Sequence, residues 1–134
     1  MPAVPGPGGE GTAGPQRAPQ RLGRAQRLVR TSLFQETYAQ GRRWIGRFMV
    51  LWLREGEGAA LRLGVVSGKK VGPAVQRNKA RRRLREAYRR NRGRFSGPFD
   101  VILIARKGAS IAPWNDLVTE LLDLAQQAGL MQNN

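Results

Sequence analysis

The sequence predicts an α/β (α+β) sandwich, in which helices cover a small mixed sheet. Three short segments, 45–53, 61–67 and 99–105, are almost continuously apolar, as buried strands are. Three other segments repeat apolar residues at helical spacing. The predicted order is αββαβα, and an order of this kind packs helices against a small sheet.

The first predicted helix covers residues 33–40. Phe34 and Tyr38 are four residues apart, so they share one face of the helix. Gly41 follows the last helical residue and suits a helix end. The helix is short, so we expect it to lie against an edge of the sheet.

The strands follow. Segment 45–53 is apolar on both faces, which predicts a strand in the interior of the sheet. Residues 55–58 supply a turn, and 61–67 is expected to be the hairpin partner of the first strand. Segment 99–105 is the third strand.

Two helices complete the pattern. A basic helix follows Gly72 and Pro73 and ends near Gly93. Together with the strands before and after it, this helix forms a βαβ unit, for which the general rule predicts parallel strands and a right-handed crossover. The last helix opens at Pro113, carries a broad apolar face and is closed by Gly129.

The basic helix is the most informative segment of the chain. Residues 77–94 contain ten Lys and Arg and a single acid, Glu86. A narrow apolar arc is expected to face the core, while the charges line the other side; the arc consists of Ala80, Leu84, Ala87 and Tyr88. A merely solvated face would normally interleave acids to limit repulsion. The pattern therefore favours a polyanionic ligand, with nucleic acid first.

Composition narrows the function further. The chain has 24 Lys and Arg, nine Asp and Glu, and neither histidine nor cysteine, for a net charge of +15. Disulfides and thiolate metal sites are excluded, and an enzyme acting through its own side chains is disfavoured. No apolar run reaches the roughly 18 residues of a spanning helix, and no secretory signal begins the chain, so we expect no membrane partner and a cytoplasmic location.

The chain divides into two parts by composition. Residues 1–20 are rich in Pro, Gly and Ala, and we expect a flexible extension. Residues 21–134 are expected to form one RNA-binding domain.

Four blocks of the sequence, in order, resemble a known family. The most specific block runs from Arg77 to Tyr88, RNKARRRLREAY; the others are Phe34-Gln35 with Tyr38, RLGVV leading to KKVG at 62–72, and DVILIAR at 100–106. Together they resemble the protein subunit of bacterial ribonuclease P, over roughly residues 27–129. Lys79, Ala80 and Arg83 depart from the family pattern, which has arginine at the first position and aliphatic residues at the other two.

The resemblance implies a function and a fold. A catalytic RNA subunit would remove the 5′ leader from precursor tRNA, with Mg²⁺ required by that RNA-catalysed reaction. The protein would bind both RNAs, and it would have no catalytic residues, no tightly bound cofactor and no small-molecule substrate. The resemblance also implies a left-handed βαβ crossover, contrary to the general rule.

The resemblance places the RNA subunit on the basic helix. The expected contacts are Arg77, Asn78, Lys79, Arg81, Arg82, Arg83, Arg85 and Arg89. Each phosphate contact would release counterions, so affinity should fall steeply with salt. Asn78 has an alternative role as a capping or backbone-bonding residue.

A second surface is expected between the first helix and the sheet. Strand alternation puts Phe48 and Trp52 on one face, and Phe34 and Tyr38 of the helix should lie beside them. In the family such a cleft holds the single-stranded leader, although each of these aromatics is also a candidate for plain core. Two further residues, Lys69 and Lys70, would contact the leader backbone. Asp100 is the acid expected nearest to this cleft, and we assign no residue as a metal ligand.

Two other functions remain open from the residues alone. A ribosomal-type RNA-binding protein would share the charge and a comparable fold. A protein nuclease acting alone would need a histidine or a carboxylate cluster, and the nine acids show no such grouping.

Overall fold

The computed structural model describes residues 27–28 and 31–131, so the predicted extension at 1–20 lies outside the described residues. Its elements, in chain order, are α1 (Thr31–Gln40), β1 (Arg43–Ile45), β2 (Met49–Glu55), β3 (Leu63–Ser67), α2 (Ala74–Asn91), β4 (Phe99–Ala105) and α3 (Trp114–Gln127). Short 3₁₀ turns occupy Lys69–Val71 and Arg92–Arg94. None of the helices in this part of the chain combines the length and apolar character needed to cross a bilayer.

The four strands form one mixed sheet in the order β1-β2-β4-β3. The predicted parallel pairing of the strands on either side of the basic helix is confirmed by β3 and β4. The predicted hairpin between the first two strand segments is wrong, because β4 lies between β2 and β3 and pairs antiparallel with β2. The apolar run of β4 is buried on both faces, so the central position stabilises it more than an edge would. The hand of the crossover stays a prediction.

The prediction of one strand at 45–53 is wrong, because the segment contains the last residue of β1, a turn at 46–48 and the first part of β2. The turn begins at Gly46, whose N–H donates to the carbonyl of Met49 (2.8 Å). The carboxylate of Glu120, from α3, accepts the N–H groups of Arg47, Phe48 and Met49 at 2.7, 2.7 and 3.0 Å. This contact joins residues more than 70 positions apart in the chain. The apolar pattern of the segment therefore did not show the contact that holds this turn.

Two cores lie on opposite faces of the sheet. The larger one packs the sheet against α2 and α3, and the predicted apolar arc of α2 is confirmed there, with Ala80, Leu84, Ala87 and Tyr88 all buried. The smaller one packs the other face against α1; its fully enclosed members are Leu28, Phe34, Val66 and Ile102. The sheet thus separates the basic helix from α1.

A buried ion network joins the ends of β2 and β4 to the loop between β2 and β3. The Asp100 carboxylate is fully buried, and it accepts hydrogen bonds from Arg54 (2.9 Å) and from Arg62 (2.7 and 3.0 Å). It also accepts the backbone N–H groups of Ala60 and Arg62. Burial alone would raise the pKa of Asp100, but hydrogen bonds from Arg62 and the Ala60 N–H, with the charge of Arg62, outweigh burial and lower it.

Replacement of this carboxylate should be costly. We expect Asp100→Asn to lower the free energy of unfolding by about 3–5 kcal/mol, because Arg54 and Arg62 lose their buried counter-charge. Since the folded-state pKa is lowered, the contribution is complete above the unfolded pKa of about 4 and is lost as the pH falls below it. The measurement is urea unfolding at pH 7 and pH 3.

The control for this measurement is Asp123→Asn, which makes the same change at an exposed position of α3. It should alter the free energy of unfolding by less than about 0.5 kcal/mol. If Asp100→Asn and Asp123→Asn lower the free energy of unfolding equally, Asp100 does not have the proposed structural role.

Candidate nucleic-acid interface

The outer side of α2 presents cations to solvent near its N-terminal end. Lys79 and Arg82 are exposed, and within the described part of the chain neither makes a hydrogen bond or an ion pair. Arg85 is partly buried on the same helix. These cations are therefore held on a rigid helix while at least two of them keep their donors available for phosphate.

Other predicted contacts on α2 are engaged with the protein itself. Arg77 donates to the carbonyl of Gly72 (3.0 Å), and Arg81 donates to the hydroxyl of Ser67 (3.1 Å) at the end of β3. Arg81 also donates to the side chain of Asn78. Asn78 is exposed in the second turn, while the N-cap position is Pro73, so the capping alternative for Asn78 is wrong.

Arg83 points toward α3 rather than toward solvent. Its guanidinium donates to the carbonyls of Ala109 (2.8 Å) and Ala112, in the turn that precedes α3. It also lies 5.9 Å from the centroid of the Trp114 ring, which Arg90 approaches at 5.5 Å. This arrangement fixes the turn and joins α2 to α3. The Arg83 guanidinium therefore has a structural role, whether or not it also contacts RNA.

The single acid of α2, Glu86, pairs with two cations and offsets one of their two charges. Arg89 donates to it at 2.9 and 2.5 Å, and Arg90 donates at 2.8 Å. These hydrogen bonds, with that from Arg89 the strongest, lower the pKa of Glu86 to about 2 despite partial burial. The net positive charge is therefore reduced by one near the C-terminal end of α2.

The α1 face carries the second predicted surface. The rings of Tyr38 and Trp52 meet edge to face, with centroids 5.0 Å apart and an interplanar angle of 80°. Within the described residues, neither Tyr38 Oη nor Trp52 Nε1 has a hydrogen-bond partner, although both atoms are buried. Burial raises the pKa of Tyr38 to about 12, so the hydroxyl keeps its proton at neutral pH. Both aromatic residues are partly buried, whereas Phe34 is fully enclosed beneath them.

The remaining predicted cleft residues lie elsewhere. Phe48 precedes β2 in the turn and packs against the larger core, on the opposite face of the sheet from Trp52. Lys69 and Lys70 are exposed in the 3₁₀ turn after β3. The strand register puts that turn at the sheet end opposite Glu55. The structure therefore brings Tyr38 and Trp52 together, with Phe34 below, and separates the other three from them.

Arg43 is a neighbour of this surface that the sequence did not suggest. It lies on β1 opposite Trp52, and its guanidinium is 5.5 Å from the centroid of the Trp52 ring. The prediction began the strand at residue 45, so Arg43 fell outside it. Gly46 within the apolar run was the available signal for a hairpin turn, which would have drawn Arg42 and Arg43 into a preceding strand.

No metal centre is apparent among residues 27–28 and 31–131, where no three acidic side chains form a group able to hold an ion. Asp100, the acid nearest the expected cleft, is enclosed by Arg54 and Arg62. The geometry as a whole defines a class: a small α+β nucleic-acid-binding protein with a cationic helix on one face of its sheet and an aromatic pair on the other.

Comparisons with known proteins agree with that class and narrow it. The family model described as Ribonuclease P matches residues 22–129. The ribonuclease P protein component of Symbiobacterium thermophilum is 39% identical over 110 residues, which cover 81% of this chain and 96% of that protein. The corresponding protein of Citrifermentans bemidjiense is 36% identical over 98 residues, covering 73% and 84%.

Solved structures give the same result. The RNase P protein from Staphylococcus aureus superposes with a TM-score of 0.69 at 27% identity, covering 80% of this chain and 98% of that one. The RNase P protein from Thermotoga maritima does so with a TM-score of 0.67 at 30% identity, covering 75% and 96%. This chain belongs to the ribonuclease P protein family.

Two adjacent arginines of α2 allow the RNA-facing role to be separated from the structural one. We expect Arg82→Ala to leave the free energy of unfolding within about 0.5 kcal/mol of the parent. It should also reduce the salt slope of binding to the RNA subunit by about one unit, because one phosphate contact is lost. The measurement is the dissociation constant at several salt concentrations.

Arg83→Ala is the matched comparison. It removes the hydrogen bonds to Ala109 and Ala112, and we expect it to lower the free energy of unfolding by about 1–3 kcal/mol with little change in the salt slope. If the salt slope of binding is unchanged in Arg82→Ala, Arg82 does not contact the RNA subunit.

Proposed function

We propose that this chain works as the protein component of a ribonuclease P ribonucleoprotein, in which a catalytic RNA removes the 5′ leader from precursor tRNA. The family match over residues 22–129 is the observation that carries the proposal. The protein assists by binding two RNA elements, one on each face of its sheet. A ribosomal-type RNA-binding role is not favoured, since the relatives are ribonuclease P protein components.

The RNA subunit is assigned to α2. The exposed cations Lys79 and Arg82 are the best candidates for phosphate contacts, with Arg85 beside them. Arg77 and Arg81 use part of their donor capacity within the protein, but a guanidinium has five N–H donors and keeps some for phosphate. Arg83 is assigned to the contact between α2 and the turn before α3. Attraction along this edge orients the protein on the RNA without reading its sequence.

The 5′ leader is assigned to the α1 face. Tyr38 and Trp52 offer aromatic edges and faces, Arg43 supplies a cation beside Trp52, and Val50 and Ile104 extend the partly buried apolar surface along the sheet. Lys69 and Lys70 stand at the far end of this line, so a leader that contacts all of them must run along the strands. Stacking of bases contributes about 1–3 kcal/mol each and tolerates different sequences, which suits a processor of many precursors.

The chemistry of cleavage is assigned to the RNA and its Mg²⁺. The acids whose contacts are described above serve the fold: Asp100 holds two arginines, Glu120 holds a turn, and Glu86 holds two arginines of α2. Residues 27–28 and 31–131 do not form a Mg²⁺ site, and we derive no step that passes through a metal held by the protein. A cytoplasmic location, where precursor tRNA is processed, completes the proposal.

The proposal is tested by reconstitution with a bacterial ribonuclease P RNA. Cleavage of a precursor tRNA should be absent with protein alone, present with RNA alone at high Mg²⁺, and present at low Mg²⁺ only when both are combined. The protein lowers the Mg²⁺ requirement because its cations replace part of the counter-charge around the RNA. Cleavage by protein alone, or failure of the protein to help at low Mg²⁺, would contradict the proposal.

The leader assignment has its own test. We expect Tyr38→Ala to weaken binding of precursor tRNA to the reconstituted enzyme by about 5- to 150-fold, the equivalent of one stacked base, while mature tRNA binds as before. The measurement is the ratio of the two dissociation constants. An equal loss for both tRNAs would mean that Tyr38 supports the core and does not contact the leader.

A further inference from the structure

The helix α1 is fixed to the sheet at two places, one on each side of Tyr38. On the N-terminal side, the ring of fully buried Phe34 lies against Gly64 of β3, where an added Cβ would stand only 2.4 Å from Phe34 Cζ. The ring therefore needs glycine opposite it. This contact fixes how closely α1 approaches the sheet at Phe34. It does not by itself fix the position of the C-terminal end of the helix.

The second attachment is made by Gln40, the last residue of α1. Its side-chain amide donates to the carbonyl of Glu55 (2.7 Å) and accepts the N–H of Glu55 (2.9 Å). In the register of β1 and β2, Arg43 lies opposite Trp52, and the carbonyl of Arg42 accepts the N–H of Leu53 (3.1 Å). The Arg42 side chain also donates to the Glu55 carboxylate (2.9 Å). Position 40 is the one that would face Glu55 if this register continued.

The chain at position 40 is already helical, so its backbone cannot supply that pair of bonds. The Gln40 amide takes the place of the missing backbone amide, with one donor and one acceptor. The amides of Asn and Gln offer both groups in one planar unit with the spacing of a backbone amide, and Gln has the longer reach. The ion pair between Glu36 and Arg54, with Oε2 and Nε 3.1 Å apart, supports the same end of the helix.

We propose that Gln40 is a positioning residue for the leader surface: by completing the ladder at Glu55, it holds Tyr38 against Trp52. Glu55 and Trp52 belong to the same strand, and Gln40 and Tyr38 to the same helix, so this bond pair sets the distance between the two rings. The proposal rests on the assignment of the leader to the α1 face. It concerns a residue that itself contacts neither ring.

The test compares Gln40→Ala with two other variants in the enzyme reconstituted with the RNA subunit. We expect Gln40→Ala to weaken binding of precursor tRNA about three- to tenfold, as the loss of one ordinary hydrogen bond does, and to leave mature tRNA unaffected. The Trp52 Nε1–H resonance of the free protein, assigned with Trp52→Phe, should also move. Gln127→Ala removes an exposed glutamine from α3 and should change neither quantity.

Tyr38→Ala separates failure of this proposal from failure of the leader assignment. If Tyr38→Ala weakens precursor binding selectively and Gln40→Ala does not, the positioning role is overturned and the leader assignment stands. If neither variant is selective for the precursor, both are overturned. Gln40→Ala should keep its cooperative thermal unfolding and its affinity for the RNA subunit; a loss of that affinity equal to the loss for precursor tRNA would mean general destabilisation and overturn the positioning role.

Discussion

The rest of the structure depends on one interaction, the buried ion network around the Asp100 carboxylate. Because it is fully buried and accepts hydrogen bonds from Arg54 and Arg62, it allows two arginines to enter a fold with few acids. Its bonds to the backbone N–H groups of Ala60 and Arg62 fix the loop between β2 and β3. Arg54 in turn lies beside Glu36 of α1. One buried acid thus ties together the central strands, a loop and the helix of the other layer.

The other acids with described contacts also stabilise the fold. Glu120 closes the turn between β1 and β2, and Glu86 accepts hydrogen bonds from Arg89 and Arg90 near the end of α2. The chain has 24 Lys and Arg against nine Asp and Glu. Since the acids with described contacts serve the fold, the excess of positive charge is carried by the surface. Exposed Lys79 and Arg82 of α2 belong to that excess. A strong field for RNA is therefore a consequence of how the acids are used.

The two proposed RNA surfaces differ in their physics. The proposed α2 surface would bind through charge, so its affinity should depend strongly on salt. The proposed α1 surface would bind chiefly through Tyr38 and Trp52, whose stacking energy depends much less on salt. The sheet separates the two surfaces, because α1 covers one face while α2 and α3 cover the other. One small protein can therefore hold a structured RNA and a single strand at once, without competition between them.

The sequence by itself determined the three helices, the strands β2, β3 and β4, the buried arc of α2, the parallel pair around that helix and, through the Arg77–Tyr88 block, the family. These features depend on spacing within one segment, where helical and strand periodicity act directly. Tertiary structure alone decided the central place of β4, the contact of Glu120 with the turn before β2, and the inward use of Arg83. Each of these depends on a partner distant in the chain, and periodicity within a segment contains no information about distant partners.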